Sequence, residues 1–277
     1  MTYSLNALYK VVVISKQAVS QYRKRRAVFE EQLQGLLLEV EELRKEHPGC
    51  GVEKMYYTLQ PTFIGWDRFI ELEYGLKRKK SYKRTTSSGV LYYPNLIEGL
   101  AVCVPHTLWQ SDITYIALSN KCYYAVFIID VYTKKIVGYS LTDHLRAVAN
   151  VQALKKALKT HPAPKIHHSD RASQYTYKPY VILLKKRGFK ISMARMPQEN
   201  AYDERVNRTI KEEYLHHWQP QSWQHLRKMI AKAIEHYNTK RIHLELNRKT
   251  PVAFERNFSM MASHHRKTIT IFIYKSK

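Results

Sequence analysis

Apolar residues recur along the chain with two different periods, and the change of period divides it. Residues 4–25 predict two short helices with a turn near Val13–Ser15, where Ser15 is a suitable N-cap for a helix starting at Lys16. Residues 26–46 place Val28, Leu33, Leu36, Leu37, Val40 and Leu43 near helical spacing and predict a packing helix. His47–Gly51 breaks it. A short helix follows over 52–59, then a turn framed by Pro61 and Gly65, then a helix from Trp66 to Gly75. Past a connector containing Gly89 and Pro94, the period becomes that of strands. Trp109–Ile116 predicts a first strand, and the nearly continuous apolar run Lys121–Val131 a buried central one. Thr133–Lys135 turns the chain into a third strand, Ile136–Thr142, which completes an antiparallel meander. Val148, Val151, Leu154 and Leu158 mark a helix over 145–160 that Pro162 and Pro164 end. The remaining pattern gives a short strand (165–169), a helix (180–187), a strand (189–194) and two helices (202–216 and 223–237).

The order β-β-β-α-β-α-β-α is that of a ribonuclease H-like fold. Three antiparallel strands form a sheet that parallel strands extend through helical crossovers. The expected fold class is therefore α/β, a mixed five-stranded sheet with flanking helices, preceded by an all-α region. The expected boundaries are a helical N-terminal region over 1–48, a possible helix-turn-helix, and a helix-turn-helix region with a basic exit over 49–84. A linker over 85–105, the ribonuclease H-like core over 106–256 and a basic tail over 257–277 complete the chain.

Charge identifies the partner class. Lys and Arg total 46 against 23 Asp and Glu, a net +23. A chain this basic attracts polyphosphate, and its 21 Tyr and 4 Trp supply rings that stack on bases. The run 77–84 concentrates six cations, Lys77, Arg78, Lys79, Lys80, Lys83 and Arg84, next to a helical hairpin. It reads either as a solvated linker or as an arm that tracks phosphates. Arg171, Arg205, Lys211 and Arg241 are further candidate DNA contacts. Three scattered cysteines with no CxxC pair suggest neither a disulfide framework nor a zinc site, and fit a reducing cytoplasm. The N-terminal stretch lacks the features of a signal peptide. No run reaches the roughly eighteen apolar residues that span a bilayer, so no membrane is expected.

Three carboxylates stand where this fold would bring them together. Asp112 interrupts the β-favouring WQSDITYI; Asp170 follows the strand IHHS; Glu204 opens the helix after NAYD. Taken singly, each has an ordinary explanation as a strand-edge, turn or solvated helix acid. On neighbouring strands and a helix crossing the same edge, they converge. Packed acids repel unless a cation lies between them, and Mg²⁺ prefers oxygen ligands. Asp130 is the rival, but it ends a strand before a turn, where Asp is common. His167 and His168 have no third His or Cys at zinc spacing, and at least one is expected to be buried beside the site.

WQSDITYI, HHSDRASQY, NAYDERVNRTIKEEYL and the C-terminal HYNTKRIHLELNRKTPVAF together resemble bacterial insertion-sequence transposases of the IS-three family, relatives of retroviral integrases in the DDE recombinase superfamily. The family's three metal ligands fall on Asp112, Asp170 and Glu204. The resemblance implies Mg²⁺ or Mn²⁺, two ions, and hydrolytic nicking at element ends followed by strand transfer from the freed 3′-hydroxyl. It also implies double-stranded DNA as partner, a homo-oligomer on DNA, fusion to or partnership with an upstream-frame DNA-binding protein, and a cytoplasmic, nucleoid-associated location. Three positions depart from the family: Ala172 replaces a usual Gly, the stretch before Glu204 is shortened, and Asp203 stands where a small apolar residue is normal. A DNA-binding remnant without catalysis and a ribonuclease H-like nuclease are the alternatives.

Overall fold

The computed structural model describes residues 14–72, 93–118, 121–262 and 266–272, with Tyr9 and His264. The chain divides into two compact units, Met1–Glu46 with Cys50–Lys77, and His47–Gly49 with Arg78–Lys277. In the first unit, α1 (Lys16–Glu46) is one helix of 31 residues rather than the two expected. Nothing breaks its ladder at Arg25–Arg26. The only Gly or Pro inside it is Gly35, and Arg26 pairs with Glu30 one turn on at 2.8 Å. Ser15 caps it as predicted, its hydroxyl accepting from the Ala18 amide at 3.1 Å. Then come α2 (Val52–Leu59) and α3 (Trp66–Glu71). Leu36, Val40, Met55, Ile64 and Phe69 bury one small core among these helices. The helix expected over 4–13 and the basic run 77–84 lie outside the described residues.

The second unit is built on β2 (Leu108–Leu118), β3 (Lys121–Asp130), β4 (Ile136–Thr142), β5 (Ile166–Ser169) and β6 (Lys190–Met193). They form one sheet in the order β4-β3-β2-β5-β6. β3 runs antiparallel to β2 and β4, and β5 runs parallel to β2 and β6. Successive β3 residues face opposite layers. Val126 and Ile128 pack with α4 (Val148–Thr160) and α5 (Lys178–Lys186). Ala125, Phe127 and Ile129 pack under α6 (Ala201–Thr209) and α7 (Trp223–Thr239). Burial on both faces explains the unbroken apolar run. Gly138 lets α4 approach β4: a Cβ there would lie 2.6 Å from the Ala153 carbonyl oxygen.

Two features escape the hydrophobic pattern. β1 (Ala101–Val102) pairs antiparallel with β7 (Ile269–Thr270), so the end of the expected linker and the end of the expected tail meet. Two-residue strands are too short to show a period. α8 (Pro251–Phe258), capped by Thr250, adds Phe254 to the core beneath Leu108, Val131 and Ile166. Meanwhile α6 continues through a π-helical stretch, Ile210–Leu215, into His216–Trp218. The Gly49 amide donates to the Glu213 carbonyl in that stretch at 2.8 Å, with no room for a side chain on Gly49.

Candidate metal centre

The parallel register of β2 and β5 sets the site. Its last pair is Ser111 with Ser169. Asp112, the next residue of β2, and Asp170, the first residue past β5, therefore lie side by side on one face. That face is the one α6 covers, because Asn207 Nδ2 reaches down to donate to Asp112 Oδ2 at 2.8 Å. Asp170 accepts from the Ala172 amide at 3.0 Å, and this bond holds the turn after β5. Glu204, in the first turn of α6, is exposed at the rim.

Burial raises all three acids, and Asp112 is raised further by the charges of the other two. Asp112 is pushed up to about 7, first by burial and next by the charge of Asp170, with Glu204 contributing. Burial raises Asp170, and raises Glu204 against the opposing pull of Arg208. The three acids thus sense one another through Asp112, although their oxygens do not all lie within 4.8 Å of one another. Asp203, the neighbour of Glu204, points inward: it is 0% exposed and neither carboxylate oxygen has a hydrogen-bond partner. Burial drives its carboxyl well above the usual range, Asp112 and Asp170 drive it further, and the backbone of Asp112 relieves it only in part. The sequence marks Asp203 as an unusual residue but does not show which way it points.

The other candidates separate cleanly. Lys211 is half-buried in the π-helical stretch that continues α6, its charge disfavoured by burial and favoured by Asp112. Arg205 is exposed and pairs with Glu245 at 2.7 Å. Arg171 donates from Nε to the Ala194 carbonyl at 2.9 Å and from a terminal nitrogen to the Arg195 carbonyl, so it holds the loop after β6. Arg241 is 8% exposed, with Nε and one terminal nitrogen on Glu213 and the other terminal nitrogen on His243, an arrangement that argues against its assignment as a DNA contact. Lys77, Arg78, Lys79, Lys80, Lys83 and Arg84 lie outside the described residues. Asp130 does turn work, accepting from the Thr133 amide and hydroxyl and from the His106 amide. His167 and His168 are both buried, held by Tyr180 and Ser192 and pushed down to about 3 by burial.

One group was not anticipated. His106, His161 and Glu255 bring ligand atoms within 4.8 Å of one another, the one such trio of His, Cys, Asp and Glu among the described residues. Its hydrogen bonds oppose a metal. The Trp109 indole donates to His106 Nδ1 at 3.2 Å, which leaves the imidazole proton on Nε2, facing Glu255. A metal-bound histidine instead donates from its second nitrogen. Lys135 already neutralises Glu255 at 2.6 Å.

Comparison with known proteins identifies the family of the chain. An integrase core domain model matches residues 104–197, and a second integrase core domain model matches 187–251. The insertion element IS600 uncharacterized 31 kDa protein of Shigella sonnei is 34% identical over 214 residues, covering 72% of this chain and 78% of that protein. The transposase for insertion sequence element IS904 of Lactococcus lactis is 35% identical over 183 residues, covering 64% of this chain and 72% of that protein. Among solved structures, the simian T-cell lymphotropic virus intasome in complex with PP2A regulatory subunit B56 gamma shares the fold. Its TM-score is 0.51 at 15% identity, over 77% of this chain and 73% of that one. On the strength of its sheet order, its sequence motifs and these relatives, the chain belongs to the insertion-sequence transposases of the IS-three family, DDE enzymes with an integrase catalytic core.

Proposed function

We propose that this chain cuts DNA at the ends of an insertion sequence and joins them to a target, with Asp112, Asp170 and Glu204 as ligands of divalent metal, Mg²⁺ or Mn²⁺, in two ions. The observation that carries the reading is the β2–β5 register, which sets Asp112 beside Asp170 beneath the helix whose first turn carries Glu204. The donor set fits such an ion: all its charged groups are carboxylates, and the buried ones repel without a cation. When bound, divalent metal supplies an activated attacking oxygen and neutralises charge on the leaving oxygen.

The chain's own residues do the positioning. Asn207 fixes Asp112 through its amide, and the Ala172 amide fixes Asp170. Lys211 and the exposed Arg205 and Arg208 give α6 a cationic flank that draws phosphate toward the acids. In the first reaction water attacks phosphorus, the P–O3′ bond breaks, and the departing 3′ oxygen takes a proton. In the second, that 3′-hydroxyl attacks a target phosphodiester; one such bond forms as another breaks, so no external energy is required.

In this reading, residues 106–256 act on DNA, the helical regions 1–48 and 49–84 and the basic exit bind it, 85–105 links the two parts, and 257–277 is a basic tail. Synapsis of two ends requires at least a dimer, acting in the cytoplasm at the nucleoid, with or without fusion to an upstream-frame protein. Among the described residues, no helix is long and apolar enough to cross a membrane. The test is incubation of the chain in Mg²⁺ with duplexes carrying the element's terminal repeats and a target plasmid. Cleaved ends joined to plasmid are expected. Nicks without joined products would point to a nuclease, and binding without nicks to a catalytically silent remnant.

A further inference from the structure

The face of α6 turned toward β2 carries more oxygen than three ligands account for. Asn200, Asp203 and Asn207 follow one another along that face, at i, i+3 and i+7. They lie over Gln110, Ser111 and Asp112 of β2. Asn200 Nδ2 donates to the Ser111 carbonyl at 3.2 Å, and Asn207 Nδ2 to Asp112 Oδ2 at 2.8 Å. From the strand, Gln110 Nε2 donates to the Glu199 carbonyl at 3.1 Å.

Each of these amide nitrogens meets an oxygen, which fixes the amide's orientation, since the reverse would set oxygen against oxygen. Each amide oxygen is thereby turned away. Gln110 Oε1, Asn200 Oδ1, Asn207 Oδ1 and both oxygens of Asp203 are buried with no hydrogen-bond partner. On the strand residues opposite, the unpaired donor is His168 Nε2, one nitrogen against five oxygens.

Such a set is costly as it stands. An unpaired buried polar group costs roughly 1–3 kcal/mol, and an unpaired buried charge far more. Native proteins rarely keep one without a partner. Oxygens without donors, centred on a carboxylate, suit a hard divalent cation. Asn207, one turn on from Asp203, bonds Asp112, so Asp203 faces the strand that carries Asp112, although the oxygens of Asp112, Asp170 and Asp203 do not all lie within 4.8 Å of one another. Glu204, one residue on from Asp203, stands exposed.

We propose that Asp203 is a fourth carboxylate of the metal centre, binding from the buried side a cation that Asp112 and Asp170 bind from the sheet, with amide oxygens of Asn200 and Asn207 completing the shell. This rests on the reading of Asp112 and Asp170 as metal ligands.

The test uses the full chain in four forms: native, Asp203→Asn, Asp203→Ala and Asp112→Asn. Free Mn²⁺ is followed by electron paramagnetic resonance during titration, and melting is recorded in chelator and in saturating Mg²⁺. Both Asp203 variants are expected to bind Mn²⁺ at least about tenfold more weakly than native. Both are expected to melt above native in chelator and to lose that advantage in Mg²⁺. Asp203→Ala leaves no polar side-chain atom at that position, so a folding defect in Asp203→Asn does not block the result. Native-like Mn²⁺ affinity in both Asp203 variants, with Asp112→Asn impaired, overturns the role of Asp203 and leaves the triad. Native-like affinity in Asp112→Asn overturns the triad itself.

Discussion

The Arg241 guanidinium meets Glu213 at 2.8 and 2.7 Å, and His47 Nε2 reaches the same carboxylate at 2.5 Å. A pair this enclosed gains from its neighbours what it loses in hydration, and removing one member strands the other. Replacement of Arg241 by Met is expected to cost about 3–5 kcal/mol, with the double replacement Arg241→Met/Glu213→Leu costing less than the two single ones combined. Denaturant melts of the four proteins check this. Simple additivity would show that the pair is not coupled. Charge alone had marked Arg241 for DNA. A partner 28 residues earlier in the chain overrides that reading, and residue type cannot reveal such a partner. The same limit holds for Asp203, where a residue's type was visible and its direction was not.

Among the elements, α4 meets β4 in close packing that rests on one missing side chain. A Cβ on Gly138 would press within 2.6 Å of the Ala153 carbonyl oxygen and 2.8 Å of Ala157 Cβ. Gly138→Ala must therefore push the helix off the sheet, and is expected to lower stability by about 1–3 kcal/mol in thermal melts; an unchanged melting temperature would contradict that packing. The large elements were legible because each buries a long face. Eleven residues of β2 and ten of β3 show their burial in the pattern of their side chains. Convergence of Asp112 and Asp170 was legible as well, since strand order and register follow from the topology. The continuity of α1 was not, because a polar, solvated stretch gives no sign of where a helix pauses. β1 and β7 were hidden by their length. The His106–His161–Glu255 group was hidden because each member lies on a different element and no spacing links them.

At the scale of the whole molecule, buried titratable groups set the response to acid. Burial, and then the charge of Lys135, holds His161 down to about 4, against about 6.5 for a free histidine. The unfolded chain therefore takes up a proton on His161 below about 6.5 while the folded one does not. Its contribution to stability is complete above that pH and is lost as pH falls toward about 4. Asp112, raised to about 7, works in the opposite direction, so the measurement must be a difference. The stability of native protein relative to His161→Asn is expected to shrink between pH 7 and 4. A constant difference would mean that His161 is accessible to solvent and protons in the fold.

In the proposed reading, the net charge of +23 draws DNA to the molecule, and the carboxylates within β2 and just past β5 decide what happens to it. The most direct measurement is cleavage of a labelled duplex carrying the element's terminal repeats, in Mg²⁺ or Mn²⁺, by native protein and by Asp112→Asn. The native chain is expected to release ends bearing a 3′-hydroxyl only when metal is added. The variant should bind the same DNA and cut it at least about a thousandfold more slowly, the scale lost when a central catalytic group is removed. Cutting by Asp112→Asn at the native rate, or cutting by either protein in chelator, would contradict a metal centre built on Asp112 and Asp170.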